Sequence, residues 1–421
     1  MGLVVVGVGV VVLAVFCGLH WYVWRRLVRD TTVRGSVARR VGTGVVVGGP
    51  ILLVGAFVAE RAGVPFLLIQ IVAWPGYLWG ALLIYLLLAL LVGELIRPLL
   101  RRWTERAARA EVAEEVTVPP AVAEEVTVPA AVAEVPGPTA GAEEAGSVSR
   151  RLFVSRAVGG AAALAAVSTV GYGAHSVLTG PTVKQVTVPL ANLPRAGHGY
   201  RIAVVSDIHL GPILGRGFAE RVVERINGTQ PDLIAVVGDL VDGSVEHLRS
   251  AVEPLARLRA RHGAYFVTGN HEYFSGAEEW MVHVQELGLR LLANSRAELP
   301  YFDLAGVNDI QGKRIGDGPD FAAALGNRDM GRTAVLLAHQ PVQIHDAVKF
   351  GVDLQLSGHT HGGQVWPGNL LAELANPTVA GLEQYGDTQL YVTRGAGAWG
   401  PPVRVGAPSD ITVITLASKQ A

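Results

Sequence analysis

Five times between Arg201 and Gly363 the chain repeats one arrangement, a short apolar run that stops abruptly on Asp, Asn or His. "RIAVVSDIHLG" ends in Asp207 and His209, "PDLIAVVGDLVDG" in Asp239 and Asp242, and "GAYFVTGNHEYF" in Asn270 and His271. "TAVLLAHQP" ends in His339, and "VDLQLSGHTHGG" in His359 and His361. Each run holds four to six residues rich in Val, Ile, Leu or Phe, as buried strands do. Amphipathic stretches between them, such as Phe218 to Asn227 and His247 to Arg261, read as helices. Strands alternating with helices predict βαβ units in a layered α/β fold. Ligands in such folds bind beyond the carboxyl ends of the strands. All of these polar residues fall there.

A single Asp or Asn at a strand end commonly serves a turn or a helix cap, and a lone histidine is more often structural than a ligand. Five strand ends that each carry an oxygen or imidazole donor exceed what turn chemistry needs. Residues i and i+2 of an extended segment project to one side, so Asp207 and His209 are expected to grip one ion together. The same alternation applies to His359 and His361 unless the glycines bend that loop, and these two are assigned to different metals. A carboxylate has two oxygens, so Asp239 can bridge ions about 3.5–4 Å apart. Mixed His, Asp and Asn ligation suits Mn, Fe, Zn or Co better than Ca or Mg. Cys17 is the only cysteine, which excludes disulfides within the chain and any cysteine-rich metal site.

D-x-H, G-D-x-x-D, G-N-H-E, a distant His and G-H-T-H, in this order between about Tyr200 and Leu416, resemble the calcineurin-like metallophosphoesterases. "SDIHLG", "GHTHGGQ" and "TRGAGAWGPPVRVGAPSDITVITL" look most like the bacterial membrane-associated branch, which includes UDP-diacylglucosamine pyrophosphatase-like enzymes. The resemblance implies a layered β-sandwich flanked by helices and two divalent or trivalent metal ions. One metal would take Asp207, His209, Asp239 and His361; the other would take Asp239, Asn270, His339 and His359. His271 would stabilise developing charge or protonate the leaving oxygen. Asp242 would orient His271 or a ligand, or cap a helix. Arg394, Trp366 and Trp399 are candidates for the substrate rim. The expected reaction is hydrolysis of a phosphodiester, pyrophosphate or phosphomonoester. Two metals lower the pKa of a shared water, so that hydroxide attacks phosphorus in line without a covalent enzyme intermediate.

The rest of the chain is of another kind. Over all 421 residues half are hydrophobic, 17% are charged and mean hydropathy is +0.35, too apolar for an ordinary soluble protein. Leu3 to Trp24 is long enough to span a bilayer, and Val45 to Ala59 reads as a second span. Phe66 to Ile96 is a third, with Trp74-Pro75-Gly76 expected to kink it or to split it into a re-entrant turn and a span. Arg25, Arg26, Arg29, Arg34, Arg39 and Arg40 follow the first span; Arg97, Arg101, Arg102, Arg106 and Arg109 follow the third. The positive-inside rule puts both stretches in the cytoplasm and the N-terminus outside.

"AEEVTVPPAV" (113–122) and "AEEVTVPAAV" (123–132) form a tandem repeat whose Pro, Ala and Glu content predicts an extended tether. "SRRLFVSR" (149–156) precedes an Ala/Gly-rich stretch. It reads either as the flank of a fourth span or as a twin-arginine-like export signal, with Ser155 where a lysine is usual. Both put residues 180–421 outside the cytoplasm. The expected organisation is a transmembrane region (1–109), a linker (110–149), a fourth span or signal segment (150–179) and the phosphoesterase domain (180–421). A net charge of −1 gives no electrostatic footprint for nucleic acid. The chain thus reads as a multi-pass cell-membrane enzyme with an extracytoplasmic domain, acting on a phosphorylated small molecule, lipid or envelope polymer. The competing reading is a sensor or transporter-like protein with a non-catalytic hydrolase-like domain. Against it, no ligand position is missing and few charges lie inside the spans.

Overall fold

A computed structural model describes residues 2–115 and 140–420. The tandem repeat, apart from residues 113–115, lies outside the described residues. Two compact units divide the chain: Met1–Ile51 with Leu82–Ser168, and Leu52–Ala81 with Thr169–Ala421.

Four helices are long and apolar enough to cross a membrane. They belong to α1 (Gly2–Trp24, continued by a π-helical turn Arg25–Arg29), α2 (Val37–Arg61), α3 (Phe66–Glu115) and α4 (Ala140–Leu178). The kink expected at Trp74-Pro75-Gly76 does not interrupt α3, which is one helix of 50 residues. A proline within a helix removes one N–H, and neighbouring groups can satisfy the carbonyl it leaves. Both ends of the expected tether are helical, since α3 runs to Glu115 and α4 starts at Ala140. In the first unit Glu94 accepts hydrogen bonds from Tyr22 (3.1 Å) and Arg26 (2.8 Å), so its charge is paired.

The second unit holds two six-stranded sheets. The first contains β1 (Thr182–Leu190), β2 (Arg201–Val205), β3 (Leu233–Val237), β4 (Ala264–Val267), β5 (Leu289–Leu291) and β12 (Asp410–Ser418), in the order β1-β12-β2-β3-β4-β5. The second contains β6 (Ser295–Glu298), β7 (Asp303–Gly306), β8 (Ala334–Leu337), β9 (Leu354–Ser357), β10 (Gly381–Tyr385) and β11 (Thr388–Val392), in the order β10-β11-β9-β8-β7-β6. Strands β2 to β5 run parallel, as do β7, β8, β9 and β11.

Period-2 alternation assigns each strand two jobs. Ile202, Val204, Leu233, Ala235 and Val237 meet Leu304, Val335, Leu354 and Leu356 of the facing sheet. Ala203, Val205, Ile234 and Val236 turn outward to α5 (Arg216–Gly228), α6 (Val245–Val252) and α8 (Ala277–Glu286). This is the expected layered β-sandwich with flanking helices. The helix expected to run to Arg261 ends sooner: α6 stops at Val252, a 3-10 turn carries Pro254, and Leu258 is extended. Pro254 has no N–H to donate back along an α-helix.

Candidate active site

The polar residues that end β2, β3 and β4 come from one sheet, and those that end β8 and β9 come from the other. The parallel strands carry them all to one edge of the sandwich. Two groups of candidate ligands form. In one, ligating atoms of Asp207, His209 and His361 lie within 4.8 Å of one another; in the other, those of Asp239, His339 and His359 do. A third set, His209, Asp242 and His271, is equally close, but hydrogen bonds from both imidazoles to Asp242 account for it. His359 and His361 therefore part company, as the metal reading required, and Asp207 and His209 meet.

The reason they meet is not strand alternation. Backbone φ is +53° at Asp207, +50° at His209, +51° at Asp239, +73° at His359 and +52° at His361. Among the described residues only eight others than glycine adopt positive φ, and five of them are these. Left-handed backbone at a non-glycine residue costs on the order of 1–3 kcal/mol and survives where surrounding structure enforces it. The strands have ended, and the residues are aimed by tight turns. Gly358 shows how tight: a Cβ there would stand 2.0 Å from Ser206 Oγ and 2.3 Å from Asp207 Oδ2. Gly358→Ala is expected to destabilise the protein by about 1–3 kcal/mol through overpacking and to displace Asp207. Denaturant unfolding and the metal-to-protein ratio check this.

Asp239 stands between the two groups. Its Oδ2 lies 3.1 Å from His339 Nε2 and 3.8 Å from His209 Nε2. His339 Nδ1 donates to the Val237 carbonyl at 2.9 Å, so in the neutral ring Nε2 is a bare acceptor facing another acceptor. His209 Nδ1 donates to Asp242 at 3.0 Å, which leaves Nε2 to accept from His361 Nε2 at 3.0 Å, since Arg404 donates to His361 Nδ1 at 3.2 Å. Asn270 opens α7 (Asn270–Ser275), and its Oδ1 is buried with no hydrogen-bond partner, as is His339 Nε2. An imidazole acceptor aimed at a carboxylate, beside an amide oxygen with no partner, calls for a cation in a buried site. The donor set of imidazole, carboxylate and amide oxygen fits transition metals.

The electrostatics agree. Burial alone would raise Asp207, but His361, His339 and His209 hold it well below the usual carboxylate range. Asp239 is likewise held low, against burial, by His339, His271 and His209. Burial and the positive His339 push His359 down to about 4. Burial takes His361 to about 4 as well, although Asp207 opposes it. His339 differs: against burial, Asp239, Asp207 and Asp309 hold it well above the ordinary imidazole range. Ionised carboxylates and neutral imidazoles are the forms that bind metal, so metal at His339 must displace its proton.

His271 lies at the rim. Its Nδ1 is 2.6 Å from Asp242 Oδ1, and its ring packs edge-on against His209, Phe274 and Trp399. Burial would lower its pKa, but the hydrogen bond to Asp242 and the charges of Asp239 and Asp242 raise it to about 9. Asp242 thus orients two imidazoles at once, and the N-cap position of the following α6 belongs to Ser244 instead.

Two further residues were not singled out in the sequence. Glu272 is buried, and its carboxylate accepts from the backbone N–H groups of Asp239, Leu240 and Gly269 at 3.0, 2.8 and 2.6 Å, tying the second strand-end loop to the third. Burial, with the Asp239 charge, pushes it up to about 7. Its signal was a charge directly after His271 in an otherwise apolar block. Arg404 is buried and donates to the carbonyls of Gly397, His361 and Ala407. Of the rim candidates, Trp366 and Trp399 are half exposed, while Arg394 lies 3.9 Å from Asp410 and packs on Gly362.

A sandwich with this site at its strand ends is the architecture of a metal-dependent phosphoesterase, and comparison with known proteins agrees. Residues 200–363 match the calcineurin-like phosphoesterase family. The chain is 39% identical over 264 residues to a zebrafish (Danio rerio) transmembrane protein with metallophosphoesterase domain, covering 59% of this chain and 60% of that one. It is 37% identical over 259 residues to an uncharacterized metallophosphoesterase of Helicobacter pylori, covering 60% of this chain and 69% of that one. A third relative, an uncharacterized metallophosphoesterase of Aquifex aeolicus, is 34% identical over 242 residues, covering 56% of this chain and 92% of that one. The chain belongs to the calcineurin-like metallophosphoesterase family. Residues 200–363 form its calcineurin-like phosphoesterase domain, with candidate residues for a dimetal site, and four helices among the described residues are long and apolar enough to cross a membrane. In the zebrafish relative the match leaves about two-fifths of the length unspanned.

Proposed function

We propose that the protein is a membrane-anchored dimetal phosphoesterase that hydrolyses phosphodiesters, pyrophosphates or phosphomonoesters of lipids or envelope polymers at the outer face of the cell membrane. The observation that carries this is Asp239, whose carboxylate lies between the two groups of candidate ligands, 3.1 Å from His339 and 3.8 Å from His209. Asp207, His209, Asp239 and His361 would hold one ion, and Asp239, Asn270, His339 and His359 the other, with Mn, Fe, Zn or Co as the suitable metals. Bound there, the metals would shield the phosphoryl oxygens and make hydroxide available near neutral pH. His271, held by Asp242, directs Nε2 toward the reacting phosphate and hands its proton to the leaving oxygen. Asp242 fixes the direction of that proton and the tautomer of His209. In the closing segment Thr393 to Leu416, Gly395 and Gly397 pack directly on Asp207 and Ile208. The purified full chain is expected to hydrolyse bis(nitrophenyl) phosphate and to lose that activity to a chelator.

The sidedness rests on the arginines. The segment Leu52–Ala81, which holds the short turn between α2 and α3, falls with the phosphoesterase domain, while the arginine-rich stretches fall in the other unit. Protease added to intact cells is expected to digest the domain. Arg150→Lys with Arg151→Lys keeps the charge bias while spoiling a receptor-read signal. Protection of that variant alone would establish the export signal, and equal digestion would leave the pair as a flank. A wild-type domain digested only after lysis would overturn the orientation.

A further inference from the structure

The cavity beside His271 is not built by the phosphoesterase fold alone. It measures about 410 Å³, within the range of small-molecule sites. One wall carries His209, Asp242 and His271; the opposite wall carries Phe57, Phe66 and Ile69 from α2 and α3. Ile213 reaches from the domain into the hairpin and packs with Ala56, Ala73 and Tyr77. Phe66 joins the core of the domain and stacks on His247 at 5.2 Å. Tyr77 donates to Glu60 at 2.5 Å across the turn.

We infer that this wall binds an alkyl chain, so that the enzyme selects phosphates carrying a long apolar tail over water-soluble esters and sugar polymers. The inference rests on the phosphoesterase reading and narrows it. Beside the polar groups of Glu60, Tyr77, Ser244, His247 and Ser275, the cavity is lined by Phe57, Phe66, Ile69, Ile213, Phe274 and Trp399, apolar surface that suits an alkyl chain. It also continues into surface meant for lipid. On the outer faces of the same hairpin Val58, Leu67, Leu68 and Ile71 are 57, 66, 50 and 60% exposed, an apolar surface that a bilayer covers. A lipid can then present its phosphate to the site with its chain against the turn.

The test uses the full metal-loaded chain in detergent and two phosphodiesters with one leaving group, nitrophenyl dodecyl phosphate and nitrophenyl methyl phosphate. Burial of two or three methylenes suffices for about a tenfold preference, so kcat/KM is expected to favour the dodecyl ester at least about tenfold. Ile213→Trp, which fills the path, and Phe66→Ala, which removes part of its wall, should each cut that ratio at least about fivefold. A ratio near one in the wild type, or one unchanged in both variants, would overturn the inference. Hydrolysis of neither ester would instead overturn the phosphoesterase reading. Chain binding is then read from photo-labelling by dodecyl phosphate with a terminal diazirine. Adducts at Phe66, Ile213 or Phe274 are expected, and adducts only on other parts of the chain would contradict the assignment.

Discussion

Asp239→Asn is expected to strip most of the metal from the protein and to slow turnover by at least about a hundredfold. Changes to groups that merely support a ligand already cost about 10–100-fold, and Asp239 is more central than that. It is almost wholly buried, its Oδ2 points at His339, His209 and His271, and its Oδ1 accepts from the His271 backbone N–H at 2.9 Å. Asparagine keeps the shape but removes the negative charge, and its amide either turns N–H groups toward the cations or leaves one oxygen for two of them. Metal analysis and steady-state rates decide the matter. Near-normal turnover with two metals bound would remove the bridging role.

His271→Ala should behave in the opposite way on metal and in a similar way on rate. The ring lies outside both groups of candidate ligands, so metal content should stay near the wild-type value. Loss of the proton donor should slow hydrolysis about 10²–10⁴-fold. The loss should shrink for esters with good leaving groups such as nitrophenolate, which depart without a proton. Equal losses for good and poor leaving groups would argue against proton donation, and loss of metal would make His271 a ligand. Asp242→Asn should follow His271→Ala in part, because Asp242 holds both His271 and His209.

The site was legible because metals demand polar atoms at places where buried strands leave none to spare. Asp207, Asp239, Asn270, His339 and His359 each break an apolar run, and that break survives in one dimension. What did not survive is how the residues turn. The spacing of Asp207 and His209 suggested two side chains on one face of a strand, whereas both follow the strand in left-handed turns. Local sequence carries little signal for such turns when non-glycine residues occupy them, since the strain is imposed by packing, as between Gly358 and Asp207. Arg404 was illegible for a similar reason: its carbonyl partners at Gly397, His361 and Ala407 converge only in the fold. Among the helices, length and hydropathy marked the segments that form long apolar helices. At Trp74-Pro75-Gly76 helix α3 packs closely on α2, where a Cβ at Gly76 would stand 2.6 Å from the Leu52 carbonyl. The part of the hairpin that lines the cavity beside His271 could not be read at all, because Phe57 and Phe66 look like any other apolar residues of a long apolar helix.

Two cations held by the strand-end residues are central to this mechanism, and one titration tests them most directly. The full chain is stripped of metal and Mn or Zn is added stepwise while hydrolysis of bis(nitrophenyl) phosphate is followed. The rate should start near zero, rise with added metal and level off at two equivalents per chain. Undiminished hydrolysis by the stripped protein, or a plateau at one equivalent, would contradict a dimetal centre.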